Sequence, residues 1–454
     1  MTMRFMRFMQ SLAILVAMSA CAFAVDEPQS ATGGAAENVA EAKASTAASQ
    51  EKPNAEESYE AGRKLFFQGN YKAAIEKLSS AAAADPSKTS YKLLLSKAHR
   101  LAGATDKATA VLEEILKSSP DHVEAGIELA ELLSPQKQPD RVIAVLEPLL
   151  KYKHDYPLYH LLGEAHYQKE QLDKARNYFE EAIKLNGQSA GDHYQLGNIY
   201  LAQKRFAKAA QVYERAGQLG LSSGAYHFKL ASVYYNLHRY LGTVTTAEVR
   251  GGQPGQIKNK LLLIDRVPGG KDVFYVAHPQ SSIYQVTRAQ ELGIDVFEIR
   301  LLEANVWQSA KRFEKADRIY AKLEKEVKSA DAGLFWFYWA QTALGLGQLD
   351  NYLARMEKAI VADAGVYKPM LADAFVTVAT RYQQQGDTAK YIEHLAKAVT
   401  ENPLSARLHL TLADAYWLDN RHDKAIEQYK LVLELEPDHA ARVRLLNRIR
   451  GQET

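Results

Sequence analysis

The sequence predicts an all-α fold, a solenoid of stacked helical hairpins that carries one small, partly β insert. Three observations predict it. Marker residues recur at a separation of 34 positions. Small residues recur within that period where paired helices would touch. The pattern lapses once, between Tyr240 and about Val296, where glycines and β-prone runs take over.

The period is carried by Pro86 and Pro120, Pro403 and Pro437, Gly163 and Gly197, Ala74 and Ala108, and Ala175 and Ala209. Two antiparallel helices approach closely only where side chains are small, while large neighbours fill the grooves between them. Proline at the end of a period stops the second helix, because it cannot continue the hydrogen-bond ladder. One hairpin alone leaves an apolar face in water, so several must stack before any is stable. These marks place hairpins near Ala55, Thr89, Val123, Tyr156, Ala190, Gly224, Phe297, Gly333, Ala372 and Ala406. The third is degenerate, with Val142 at the small site and extra prolines at 135 and 139. The eighth and ninth put Tyr352 and Tyr391 there, which predicts locally splayed helices. His439 to Arg448 mixes apolar residues with arginines and reads as a polar-faced closing helix.

The residues resemble the tetratricopeptide repeat. Ala61-Gly62, Leu162-Gly163, Leu196-Gly197 and Leu412-Ala413 stand where that pattern has a large residue followed by a small one. Tyr200, Tyr382 and Tyr416 fill its aromatic place, and Ala74, Ala108, Ala175, Ala209, Ala316 and Ala425 its small site on the second helix. The resemblance implies a right-handed superhelix whose first helices line a concave groove. It implies groove positions at Tyr59, Arg63, Phe66 and Phe67; at His160, Glu164 and Tyr167; at Tyr194, Asn198 and Leu201; at Phe228, Ser232, Tyr235 and Asn236; and at Arg407, Leu410, Asp414 and Trp417. In the run from Leu334 to Trp339 it puts Trp336 at a buried place and leaves Phe337 facing the groove. The clamp of lysine and asparagine that such grooves use on a terminal carboxylate is not reproduced, because Tyr194 stands one turn before Asn198.

The interruption predicts a non-repeat insert at 241–296 between an N-terminal array at 55–240 and a C-terminal array at 297–454. Gly242, Gly251, Gly252, Pro254 and Gly255 read as loop. Lys260 to Val267 and Lys271 to Val276 read as short strands joined by Pro268-Gly269-Gly270, and Ser281 or Ser282 caps a helix that ends near Gly293. The insert is expected either as a decorated linker between the arrays or as a functional projection.

Residues 1–24 read as a signal peptide: Arg4 and Arg7, an apolar run from Leu12 to Met18, and a small-residue exit at Ala22-Phe23-Ala24. The lone cysteine, Cys21, follows Met18-Ser19-Ala20 in a setting that resembles a lipobox, so lipidation at Cys21 is the alternative to cleavage after Ala24. Either route exports the chain and predicts a periplasmic protein or an outer-membrane lipoprotein. Residues 25–54 hold no aromatic residue and read as a flexible linker.

The formal charge of +2 falls to zero once Arg4 and Arg7 are removed, which argues against a nucleic-acid binder. Gly187-Gln188-Ser189-Ala190-Gly191 matches a nucleophile elbow but lies between two hairpins rather than on a strand-to-helix turn, so Ser189 reads as a helix cap. His154, His160 and His166 recur at intervals of six, which spreads them around a helix instead of converging on a metal. No catalytic residue, metal or cofactor is expected. The expected function is a non-enzymatic scaffold in the cell envelope that mediates protein-protein interactions, in an envelope-assembly or polysaccharide-export complex. The alternative is a glycan or cell-wall-polymer binding module that uses the aromatic groove.

Overall fold

The computed structural model describes residues 54–245, 263–266 and 273–451. The expected signal peptide, Cys21 and most of the 25–54 linker lie outside the described residues. So do the first expected strand before Leu263 and the Pro268-Gly269-Gly270 turn.

The chain divides into two compact units, residues 1–222 and 223–454. The first contains five hairpins. They are α1 (Ala55–Phe67) with α2 (Tyr71–Ala84), α3 (Thr89–Leu101) with α4 (Thr105–Ser118), α5 (Val123–Leu133) with α6 (Pro139–Leu146), α7 (Tyr156–Gln168) with α8 (Leu172–Leu185), and α9 (Ala190–Ala202) with α10 (Phe206–Gln218). The small residue that follows a large one on the first helix works as the sequence implies. A Cβ on Gly163 would lie 2.9 Å from the ring of Phe179, and one on Gly197 would lie 2.5 Å from that of Tyr213, so only glycine lets these backbones approach. One apolar cluster runs from Leu93 through Leu129, Leu146 and Leu158 to Ala165. It crosses hairpin boundaries and joins neighbours into a single core. The degenerate third hairpin is intact but shortened: Pro139 opens α6, Val142 is fully buried, and a 3-10 turn at Glu147–Lys151 finishes it.

Every hairpin turns through a residue in the left-handed region. It is Gly69, Gly103, Lys137, Glu170 or Lys204 in the first unit and His238, Lys311, Gly347, Gly386 or Asn420 in the second. Each stands fourteen positions after the hairpin start given above, so the backbone is more regular than the side chains. A left-handed non-glycine residue costs only about 1–2 kcal/mol, which explains why lysine, glutamate and histidine are tolerated there.

The second unit contains α11 (Gly224–Asn236), a small sheet, α12 (Ser282–Glu291), and then α13 (Phe297–Ser309) with α14 (Phe313–Leu323) and α15 (Ser329–Gly345) with α16 (Leu349–Ala362). A short α17 (Ala364–Tyr367) leads to α18 (Leu371–Gln384) with α19 (Thr388–Glu401), α20 (Ala406–Leu418) with α21 (His422–Leu435), and a terminal α22 (Arg442–Ile449). Helix α15 begins four residues before the expected Gly333. Tyr352 is buried at the small site of α16, yet α15 and α16 pack along their lengths, so the expected splaying does not occur. Among the described residues no helix is long and apolar enough to cross a membrane.

The interruption differs from expectation in an instructive way. Helix α12, expected as part of the insert, is the missing second helix of the sixth hairpin and packs on α11. His238 makes the usual left-handed turn. The Ser282 amide then donates to the Arg239 carbonyl at 2.7 Å and the Ile283 amide to the Tyr240 carbonyl at 3.2 Å. These bonds resume the helical ladder as if residues 241–279 were absent. Ser282, fully buried, takes the place of the small residue, and its hydroxyl donates to the Ala231 carbonyl at 2.9 Å. The displaced segment forms an antiparallel sheet of β1 (Gly242–Thr245), β2 (Leu263–Arg266) and β3 (Val273–Val276), in the order β1-β3-β2. Gly242 pairs with Val276 and Thr245 with Val273. Strand β1 was expected as loop, because a single glycine and two threonines carry little strand signal outside their pairing.

Candidate functional site

In the first unit, first helices meet their neighbours through polar and aromatic side chains, and this face is the candidate binding surface. Tyr59 stacks on Tyr91 at 4.6 Å, and the Tyr91 hydroxyl donates to Glu56 at 2.6 Å. Lys97 on α3 reaches both Glu124 and Glu128 on α5 at 2.9 Å, and Arg100 reaches Glu131 at 3.0 Å. Arg63 is exposed and, among the described residues, pairs within its own helix, with Glu60 at 2.7 Å, and Phe67 is 74% exposed.

Between α7 and α9 the contact is different. His160 Nδ1 lies 2.6 Å from Oδ1 of Asp192, a residue with no solvent exposure, and Nε2 lies 3.5 Å from Glu164. The Tyr156 hydroxyl donates to Ser189 Oγ at 3.2 Å, and that oxygen accepts from the Asp192 amide, so Ser189 caps α9. Burial opposes the charged forms of all three groups. For His160 it is outweighed by the Asp192 hydrogen bond and by Glu164, and the ring pKa rises. For Asp192 burial is outweighed by the bond and charge of His160, and the carboxyl is held below its usual range. Burial prevails only at Glu164, whose carboxyl is pushed up.

Linkage gives the sign. The raised His160 contributes stability that is complete below about pH 6.5 and is lost as pH rises through its folded value. Depressed Asp192 contributes stability present above about pH 3.9 and lost as pH falls through its folded value. Histidine NMR titration should therefore place His160 above the ordinary histidine value, and Asp192→Asn should bring it down. An unchanged midpoint in the variant would contradict this coupling.

The ninth residue of each first helix explains which expected groove residues are engaged. Asn198 Oδ1 accepts from the Tyr213 hydroxyl at 2.7 Å, Asn305 Oδ1 from Tyr320 at 2.5 Å, and Asp414 Oδ1 from Tyr429 at 2.6 Å, each pair fifteen residues apart. Asn198 is buried by this bond and also donates to Gln195 at 2.9 Å, so its groove position is a packing position. In the fourth hairpin Phe179 replaces the tyrosine and Glu164 has no such donor.

Other expected positions sort by burial. Tyr167 and Tyr194 are half-buried, and burial, aided by Tyr167, pushes the Tyr194 hydroxyl up to about 12. Arg407 is exposed. Asn236 is half-buried and donates to the Ser232 carbonyl at 2.8 Å. Tyr235 and Phe337 are each only 6% exposed, and this corrects the expectation that they face a groove. Phe337 packs against Tyr338 and Tyr367. Its neighbour Trp336, expected inside, is half-buried beneath Lys358 at 3.9 Å. Asp414 and Trp417 are covered by the terminal helix: Arg448 lies 2.9 Å from Asp414 Oδ1 and 4.8 Å above the Trp417 ring, and Arg444 lies 3.3 Å from Asp414 Oδ2.

Sequence reasoning missed Asp192 and Tyr156. Neither stands at an implied groove position: Tyr156 stacks on His160 from one turn earlier in α7, at 5.6 Å, and the packing of α7 on α9 brings Asp192 to it. The three spaced histidines go to separate partners, His154 to Tyr159, His160 to Asp192 and His166 to Gln171. A cleft of about 490 Å³ lined by His193, Tyr200, Lys208 and Arg215 lies between α9 and α10, and Arg205 and Lys208 already cover the Tyr200 ring, at 4.9 and 5.7 Å.

Two tetratricopeptide repeat profiles match the chain, one at residues 99–164 and 382–449 and the other at 59–123 and 160–223, together just over half its length. The chain belongs to the tetratricopeptide repeat family. Proteins of this family are generally non-catalytic scaffolds for protein-protein interaction. Among solved structures, MamA (residues 41 to the end) from Desulfovibrio magneticus RS-1 is 23% identical, with a TM-score of 0.35 over 38% of this chain and 97% of that one. PilF from Pseudomonas aeruginosa is 17% identical, with a TM-score of 0.36 over 40% and 84%. No curated protein matches the chain.

Proposed function

We propose that this chain is an exported scaffold of the bacterial cell envelope that holds partner proteins on the first-helix face of its N-terminal unit, within an envelope-assembly or polysaccharide-export complex. The observation that carries the reading is the mixed surface running from Arg63 and exposed Phe67 to the half-buried Glu164, Tyr167 and Tyr194. Aromatic rings beside paired charges are the chemistry of protein interfaces, where rings supply contact area and charges fix register. The export step rests on the sequence of residues 1–24. The alternative, a glycan or cell-wall-polymer module, uses the aromatic groove, and the burial of Tyr235 and Phe337 takes two of its expected rings out of reach.

Site-specific photo-crosslinking in cells tests the proposal. A cross-linking residue at Phe67 or Tyr167 should trap one abundant envelope protein, and one at exposed Lys77 on α2 should not. Equal yields from both faces, or retention on peptidoglycan or exopolysaccharide with no protein adduct, would sink it.

A further inference from the structure

The terminal helix shows what one pocket of this array accepts. Arg448 enters the tenth hairpin between three residues: the carboxylate of Asp414 at 2.9 Å, the ring of Trp417 at 4.8 Å and the ring of Tyr429 at 5.7 Å, whose hydroxyl lies 2.6 Å from its guanidinium. The matching positions of the fourth hairpin are Glu164, Tyr167 and Phe179. In the other eight hairpins no acidic residue at that place is followed by an aromatic one three residues later: the pairs are Arg63 with Phe66, Lys97 with Arg100, Glu131 with Ser134, Asn198 with Leu201, Ser232 with Tyr235, Asn305 with Gln308, Gln341 with Leu344, and Thr380 with Gln383.

The two pockets differ in what the next helix supplies. Beside Asp414 it supplies Arg444 and Arg448. Beside Glu164 the corresponding positions of α9 are Tyr194 and Asn198. Elsewhere on this face acids meet bases from a neighbouring hairpin, as Glu128 meets Lys97 and Glu131 meets Arg100. Among the described residues Glu164 pairs with His160.

We infer that the Glu164–Tyr167 pocket is a receptor for an arginine side chain presented by a partner protein, bound as the tenth hairpin binds Arg448. Arginine suits it better than lysine, because a planar guanidinium stacks on a tyrosine ring while donating to a carboxylate. His160 belongs to the pocket. Facing Glu164 and Asp192, it supplies part of the missing positive charge, and an incoming guanidinium takes over that share. Among the described residues, His160 faces these two carboxylates and the rings of Tyr156 and Phe179, while Tyr194 lies near Tyr167 and Asn198. Burial holds the Glu164 carboxyl above its usual range, so binding weakens as acidification protonates it.

This inference rests on the scaffold reading and is tested separately from it. The probes are the blocked peptide acetyl-Ala-Ala-Arg-Ala-Ala-amide and its citrulline counterpart, which keeps the shape and loses the charge. They are titrated into the full chain with the His160 ring resonances as readout. The arginine peptide should shift those resonances and lower the His160 titration midpoint, and citrulline should bind at least ten-fold more weakly. Glu164→Gln should abolish the difference, while Asp414→Asn leaves it intact. Equal binding of the two peptides to the unaltered chain overturns the pocket, whatever the variants do. Should protein cross-links from Phe67 persist in that case, only the pocket falls; if those cross-links are also absent, the scaffold reading falls with it.

Discussion

Tyr320→Ala is expected to cost the second unit about 3–5 kcal/mol, the range for removing a large ring from a packed core. The ring has no solvent exposure. It packs edge-on to Phe335 at 5.6 Å and stacks with Trp339 at 6.3 Å, and its hydroxyl donates to Asn305 at 2.5 Å. Trp339 is in turn clamped, with Arg355 3.9 Å above it and its indole nitrogen donating to Asp317 at 2.7 Å. The surroundings therefore cannot collapse into the cavity without breaking a charged network. Tyr320→Phe keeps the ring and loses one bond, so it should cost about 1–3 kcal/mol, mainly from the unsatisfied Asn305 acceptor. Because repeat arrays need not unfold in one step, the measurement is amide exchange across Phe297–Gly345 in the full chain. Equal protection in the two variants would show that ring packing is not what holds these hairpins.

Gly197→Val is the second large expectation, a loss of about 3 kcal/mol confined to the neighbourhood of Ala190–Gln218. Replacing a helical glycine normally gains up to about 1 kcal/mol of propensity, so the sign depends on space. Here the first added carbon would sit 2.5–2.9 Å from three atoms of the Tyr213 ring. That ring is fully buried and tied to Asn198, so it cannot swing away. Gly191→Ala, whose added carbon meets only Ser189 Oγ at 4.0 Å, is the control and should be neutral or slightly stabilising. Urea unfolding of the full chain followed by exchange in this segment separates the two, and similar midpoints would mean that the close approach is not required.

The hairpins were legible because their constraint is steric and local. A glycine or alanine must stand where helices touch, and Gly163 and Gly197 say so from sequence alone. Surface chemistry was less legible. The family positions identify which side of a helix a residue occupies, but Tyr235 and Phe337 show that a neighbouring element can cover that side, and no single-hairpin pattern contains the neighbour. Asn198 and Asp414 became intelligible only through their tyrosines fifteen residues on. That spacing was visible in the sequence, though it marks a contact only once the hairpin is folded. Asp192 lay outside the pattern because its role depends on a helix two elements earlier. The sixth hairpin is hidden for a topological reason: its second helix does not follow directly after the first, because the chain leaves at the turn and returns.

That detour has a consequence for what the fold tolerates. The Arg239 and Tyr240 carbonyls are bonded to the Ser282 and Ile283 amides, so the excursion departs and rejoins at neighbouring rungs of one helix. A segment so attached adds chiefly the entropy of closing its own loop, a term that grows slowly with length. A chain without it should keep the same registry, and the segment could be enlarged or exchanged while the surrounding architecture stays put.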